Sequence, residues 1–147
     1  MASYTNVANL LKRIDARTLG QLSDDVNREA DYTTTAATAI INQAIADASS
    51  LIDSYVLGHI DLTDSANTAD LEFHCAVLAL YYLHARKYLN DSENPKASQM
   101  RHTMSWLRNL REGELHTQAG VPSSTMLTTT SSTDKKFSDD TMGGFID

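Results

Sequence analysis

Residues 71–89, LEFHCAVLALYYLHARKYL, restrict the fold more than any other stretch. No charged residue falls between Phe73 and Ala85. At helical spacing Leu71, Cys75, Leu78, Tyr82, Ala85 and Leu89 share one face, while Phe73, Val77, Leu80 and His84 lie on roughly the opposite side. A helix that is apolar all round must be covered all round. In a chain of 147 residues that cover comes either from the rest of the chain or from another subunit.

The remaining sequence supplies helices that could provide part of it. Thr5 can cap a short helix bearing Val7, Leu10, Leu11 and Ile14. A small apolar group around Leu19 and Leu22 surrounds Gly20, and SDDVNREAD at 23–31 reads as a polar loop. Residues 33–35, all threonine, offer caps for a long helix over 36–57. Its stripe runs through Ile40, Ile41, Ala44, Ile45, Ala48, Leu51, Ile52, Tyr55 and Val56, and Gly58 stops it. Gln43, Asp47, Ser50 and Ser54 form its wet face. A loop follows, with Asn67 or Thr68 as cap for the buried helix and Asp70 and Glu72 in its first turn. Asn94–Pro95 starts a last helix over 95–112, with Ala97, Met100, Met104, Leu107 and Leu110 on one stripe. The expected fold is all-α: a bundle of about four helices over residues 1–113.

After Gly113 the composition changes. VPSSTMLTTTSSTDKKFSDDTMGGFID is dominated by Ser and Thr and has no helical period. Alone it cannot bury enough apolar surface to offset its chain entropy. Residues 114–147 therefore read as an extended C-terminal arm with apolar hooks at Met126, Leu127, Phe137, Met142, Phe145 and Ile146. These hooks are either stray hydrophobes or partner-binding positions that order on assembly, and the GGFID ending favours the second.

The residues give little support to catalysis. Cys75 is the only cysteine, so an intrachain disulfide is excluded, and its apolar surroundings raise a thiol pKa. His59, His74, His84, His102 and His116 form no HExxH or other metal-ligand spacing, so neither metal nor cofactor is expected. A net charge of −7 argues against general nucleic-acid binding, which needs a basic surface. The uncharged run 73–85 is shorter than the ~20 residues of a membrane span, and the N-terminal segment has no signal-peptide pattern. A soluble, intracellular protein with no membrane partner is expected. The helix over 95–112 is locally basic, and Arg101 and Arg108 flank its apolar stripe. They are either solvated flanks or contacts to an acidic neighbour such as another copy of this chain.

The order of features resembles a known family. YTNVANLLKRI is followed by LGQLSD, then a long helix ending in IADASSLIDSYV, then ALYYLHARK, then NPKASQMRHTMSWLRNLREGEL. This pattern, over residues 4–115, looks like the Mu-like branch of the tailed-phage head–tail connector (head-completion adaptor) proteins. The resemblance implies a virion protein at the head–tail interface, assembled in the host cytoplasm. It would form a homo-oligomeric ring, commonly a dodecamer, between the portal protein and the tail-completion or stopper proteins. DNA would pass through the central channel without specific binding. It implies no catalytic residue, and so no enzyme. On this reading Phe73, Val77, Leu80, Arg101 and Arg108 are candidates for the subunit interface. Asp61, Asp64 and Asp70 are candidates for the channel lining, where carboxylates would repel DNA phosphates weakly. The alternative is a cytosolic helical adaptor or regulatory module that binds a protein partner through its tail.

Overall fold

The computed structural model describes residues 3–25 and 30–113. Its frame is an antiparallel helical hairpin whose first arm is a long helix over Thr35–Val56. Thr34 caps this arm, its hydroxyl accepting from the Ala37 N–H at 3.2 Å. Gly58, at φ +82°, takes the left-handed conformation just beyond the helix end, which costs glycine little. The second arm is the helix over Ser65–Ala85. In chain order the α-helices are α1 (Val7–Leu11), α2 (Ala16–Ser23), α3 (Thr35–Val56), α4 (Ser65–Ala85) and α5 (Ala97–Arg111). A single 3-10 turn, Asp91–Glu93, precedes α5, and no strand occurs among the described residues.

The expected all-α class holds, and among the described residues there are five α-helices because α2 is a helix in its own right. Asp15 caps it, the carboxylate accepting from the Thr18 N–H at 2.9 Å and the Thr18 hydroxyl at 2.7 Å. Gly20 lies inside α2 and does not end it. A Cβ there would come within 1.9 Å of the Ala30 carbonyl oxygen, so the glycine permits the returning chain to cross the helix.

Helix ends in α1 and α4 differ from expectation. The cap of α1 is Asn6, whose side chain accepts from Asn9 N–H at 3.0 Å, while Thr5 is buried beneath it. α4 begins before Asn67, because the Asp64 carbonyl already accepts from Thr68 N–H at 3.1 Å. The Asn67 amide donates to the Asp61 carbonyl instead, at 2.7 Å, and Asp70 and Glu72 fall beyond the first turn. At the other end α4 stops at Ala85. Arg86 and Lys87 leave the helix and both pair with Asp25 after α2, Lys87 at 3.1 Å. Leu89, placed on the apolar stripe by spacing, is 100% exposed.

The chain itself covers most of α4. Every residue from His74 to Leu80 is buried. Leu71, Leu78 and Leu83 join Ile41, Ile45, Ile52, Leu107 and Leu110 in one core contributed by α3, α4 and α5. Leu10 from α1 and Leu19 and Leu22 from α2 extend it on the remaining side. The N-terminal segment is also held by polar contacts. The Tyr4 hydroxyl donates to the Asp53 carboxylate, which together with burial raises the phenol pKa well above its ordinary value. Tyr4 N–H donates to Ser49 Oγ at 3.4 Å, and that oxygen lies 3.4 Å from Cys75 Sγ. Cys75 is thus a packed thiol whose pKa burial pushes up.

Candidate partner-binding surface

Two hollows open beside α4, and the five interface candidates divide between them. The first is a groove of about 560 Å³ where α4 meets α5 over Leu51 of α3. Leu51, Leu78, Met100 and Met104 give it an apolar floor, and Arg101 and Arg108 stand at its rim. The methionines are half-buried although they belong to the α5 stripe, so the stripe is wider than its cover. Tyr81 and Tyr82 complete the wall, their rings 5.8 Å apart edge to face.

One edge of this groove is fastened and the other is free. Asp91 accepts from the Tyr81 hydroxyl at 2.8 Å, which raises the phenol pKa, and pairs with Arg101 at 3.3 Å. The Asn94 amide donates to the Tyr81 carbonyl at 3.2 Å, and its side-chain oxygen accepts from Lys96 N–H at 2.9 Å. The expected Asn–Pro start thus acts as a turn that sets the α4–α5 angle, and α5 itself begins at Ala97. Arg108, by contrast, is exposed and has no carboxylate within ion-pair distance among the described residues.

The second hollow, of about 330 Å³, lies between α1, α4 and the start of α5. Val77 and Leu80, 4% and 1% exposed, form its floor, and Phe73 stands open at its edge. The Arg13 guanidinium sits 4.6 Å from the Phe73 ring centroid, a cation–π contact. Lys12 and Lys96 add two further cations, and none of the described residues lining the hollow is acidic.

A stacked pair of a buried His74 and a half-buried Trp106 joins α4 to α5. His74 stacks on Trp106 at 4.0 Å, and its Nδ1 lies 3.0 Å from Thr103 Oγ1. Burial, with the nearby charges of His102 and Arg13, lowers the His74 pKa to about 4, so the ring is neutral near pH 7.

The acidic candidates are elsewhere. Asp61 is in the α3–α4 loop, its carboxylate accepting from Thr63 N–H and Oγ1 at 2.8 and 2.6 Å, which holds its pKa low. Asp64 precedes α4 and Asp70 lies in its second turn. The arm candidates Met126, Leu127, Phe137, Met142, Phe145 and Ile146 lie outside the described residues. Sequence reasoning missed Lys12 and Arg13, whose signal was the KR pair just after α1, and Tyr81, and it placed Tyr82 on the apolar face of the buried helix. Among the described residues no group of three His, Cys, Asp or Glu side chains could hold a metal ion. No described helix is long and apolar enough to cross a membrane.

The described residues form a small all-α fold with two hollows beside α4. Residues 4–136 match the family described as Bacteriophage Mu, Gp36, and the chain belongs to that family. It is also similar to Gene product J of Escherichia phage Mu, 34% identical over 89 residues. That match takes in 59% of this chain and 57% of the relative, so the chain spans less than two thirds of the relative's length.

Proposed function

We propose that this phage Mu family protein is a structural component of the virion, a head–tail connector that forms a ring between the portal and the tail-completion proteins. Family membership carries the reading. Two surface features support it. The hollows at Phe73 and at Arg108 offer distinct surfaces, as a heterologous ring contact requires. The carboxylates Asp61, Asp64 and Asp70 lie in the α3–α4 loop and the first two turns of α4, where a channel wall would repel DNA and let it slide. On this reading residues 114–147 are the arm that binds the assembly, copy number is about twelve as the resemblance implies, and the protein performs no catalysis.

Particles assembled without this chain test the reading. Electron microscopy should show filled heads separated from tails, and full heads with normally attached tails would overturn it. Truncation after Glu114 should leave the bundle folded and reduce incorporation into particles, measured by mass spectrometry of purified virions. Undiminished incorporation would remove the arm from the proposal.

A further inference from the structure

The groove floored by Met100 and Met104 is unmatched in both polarity and charge. Its floor is apolar, its rim carries Arg101 and Arg108, and none of the described residues that line it is acidic. Asp91 occupies only the Arg101 side. Residues 137–147 of the same chain, FSDDTMGGFID, have the complementary character. They hold Phe137, Met142, Phe145 and Ile146 together with Asp139, Asp140 and Asp147, and contain no lysine or arginine. We propose that this segment of a second copy of the chain seats in the groove, Phe145 and Ile146 on the methionine floor and the aspartates against Arg108 and Arg101.

Reach permits a second copy. The groove residue Arg101 is 12 residues from Gly113 along α5, roughly 18 Å at helical rise. Residues 114–144 could span roughly 100 Å when extended, far more than folding back requires. The methionines suit such a guest, since their unbranched side chains adapt to an inserted aromatic ring. Glycine at 143 and 144 permits backbone conformations closed to other residues, so a turn that brings the two apolar side chains to the groove together costs little. The exchange between copies rests on the ring reading above, whereas the seat itself does not.

The full-length chain with p-benzoylphenylalanine in place of Phe145 provides the test, because photoactivated benzophenone reacts readily with methionine side chains. Irradiation of mixed isotopically light and heavy chains should give cross-links to Met100 or Met104 that join light to heavy. Arg108→Glu should lower their yield about tenfold, as expected for reversing a charge in an electrostatically matched contact. Arg108 is exposed, so thermal unfolding of that variant should match the parent and exclude a folding defect. Cross-links at the methionines confined to single chains would retain the seat and overturn the exchange between copies. Cross-links elsewhere, or a yield indifferent to Arg108→Glu, would overturn the seat.

Discussion

The α3–α4–α5 bundle and the N-terminal segment α1–α2 are held by different means. The bundle is a continuous apolar core in which Ile41, Ile52, Leu71, Leu78 and Leu107 are fully buried. The N-terminal segment contributes fewer core residues, chiefly Leu10, Leu19 and Leu22. It relies as well on side-chain caps at Asn6 and Asp15, a Tyr4–Asp53 hydrogen bond, the Arg13–Phe73 stack and the Asp25 pairs to Arg86 and Lys87. Its two helices span five and eight residues, below the length at which an isolated helix is stable. The difference implies a hierarchy: damage to the bundle unfolds the molecule, whereas damage to the N-terminal segment loosens it locally and uncovers the Phe73 side of α4.

The largest expected effect comes from the bundle. Leu78→Ala removes a fully buried side chain between α3 and α5, and should cost about 3 kcal/mol by chemical denaturation. It should destabilise both regions together, since the N-terminal helices cannot persist without the face they cover. A biphasic transition would show that the two regions are more independent than the packing indicates.

Acid separates the two next. Folding lowers the His74 pKa from 6.5 to about 4. Between those values the unfolded chain binds a proton that the folded chain does not, so stability falls as pH falls through this window and is unaffected by His74 above it. The loss should approach ~2 kcal/mol by pH 4.5. His84, whose pKa burial also lowers, acts in the same direction. The carboxylates with lowered pKa, Asp15, Asp25, Asp31 and Asp61, add their loss only at more acid pH. Replacing the imidazole by a phenyl ring in His74→Phe should flatten the pH 4–6.5 limb of a stability-versus-pH curve. An unchanged slope would assign the acid sensitivity elsewhere.

Gly20→Ala moves the probe to the N-terminal segment. Alanine gains up to about 1 kcal/mol in helix propensity, but its Cβ overlaps backbone atoms of Ala30 and not a side-chain tip that could swing away. Overlap should win by about 1–2 kcal/mol. Hydrogen exchange should place the loss in α2 and residues 30–32. A stabilised variant would mean that this crossing shifts freely.

The same division decides what could be read from sequence. Long helices announce themselves through apolar period, so the α3 stripe from Ile41 to Val56 and the uncharged run 73–85 carried the hairpin directly. The N-terminal helices are too short for a period to accumulate, and α2 was obscured by a glycine whose role is to admit Ala30, a contact between residues ten apart. The end of α4 was misplaced because Tyr88 and Leu89 continue its pattern, while the partner that draws Arg86 and Lys87 away lies some sixty residues earlier. Spacing placed Phe73, Val77 and Leu80 on one face of α4, and they line one hollow together. That α1 packs across this face was not legible, since only the Lys12–Arg13 pair marks the spot in sequence.

The smallest expected effect bears most directly on that last point. Asn6→Ala removes the side-chain acceptor for Asn9 N–H and leaves α1 without its cap, at a cost of about 1 kcal/mol. In a five-residue helix this bond is a large share of the local order, since nucleation is unfavourable and few backbone bonds repay it. The cost should therefore appear as local opening. Amide exchange in residues 7–11 should rise about fivefold, the factor that 1 kcal/mol implies. Slow amides of α3 and α4 should keep their rates, because the core from Ile41 to Leu83 is not touched by the change. Equal acceleration throughout would mean that α1 opens only when the whole molecule unfolds, and that the cover over Val77 and Leu80 is as firm as the core beneath it.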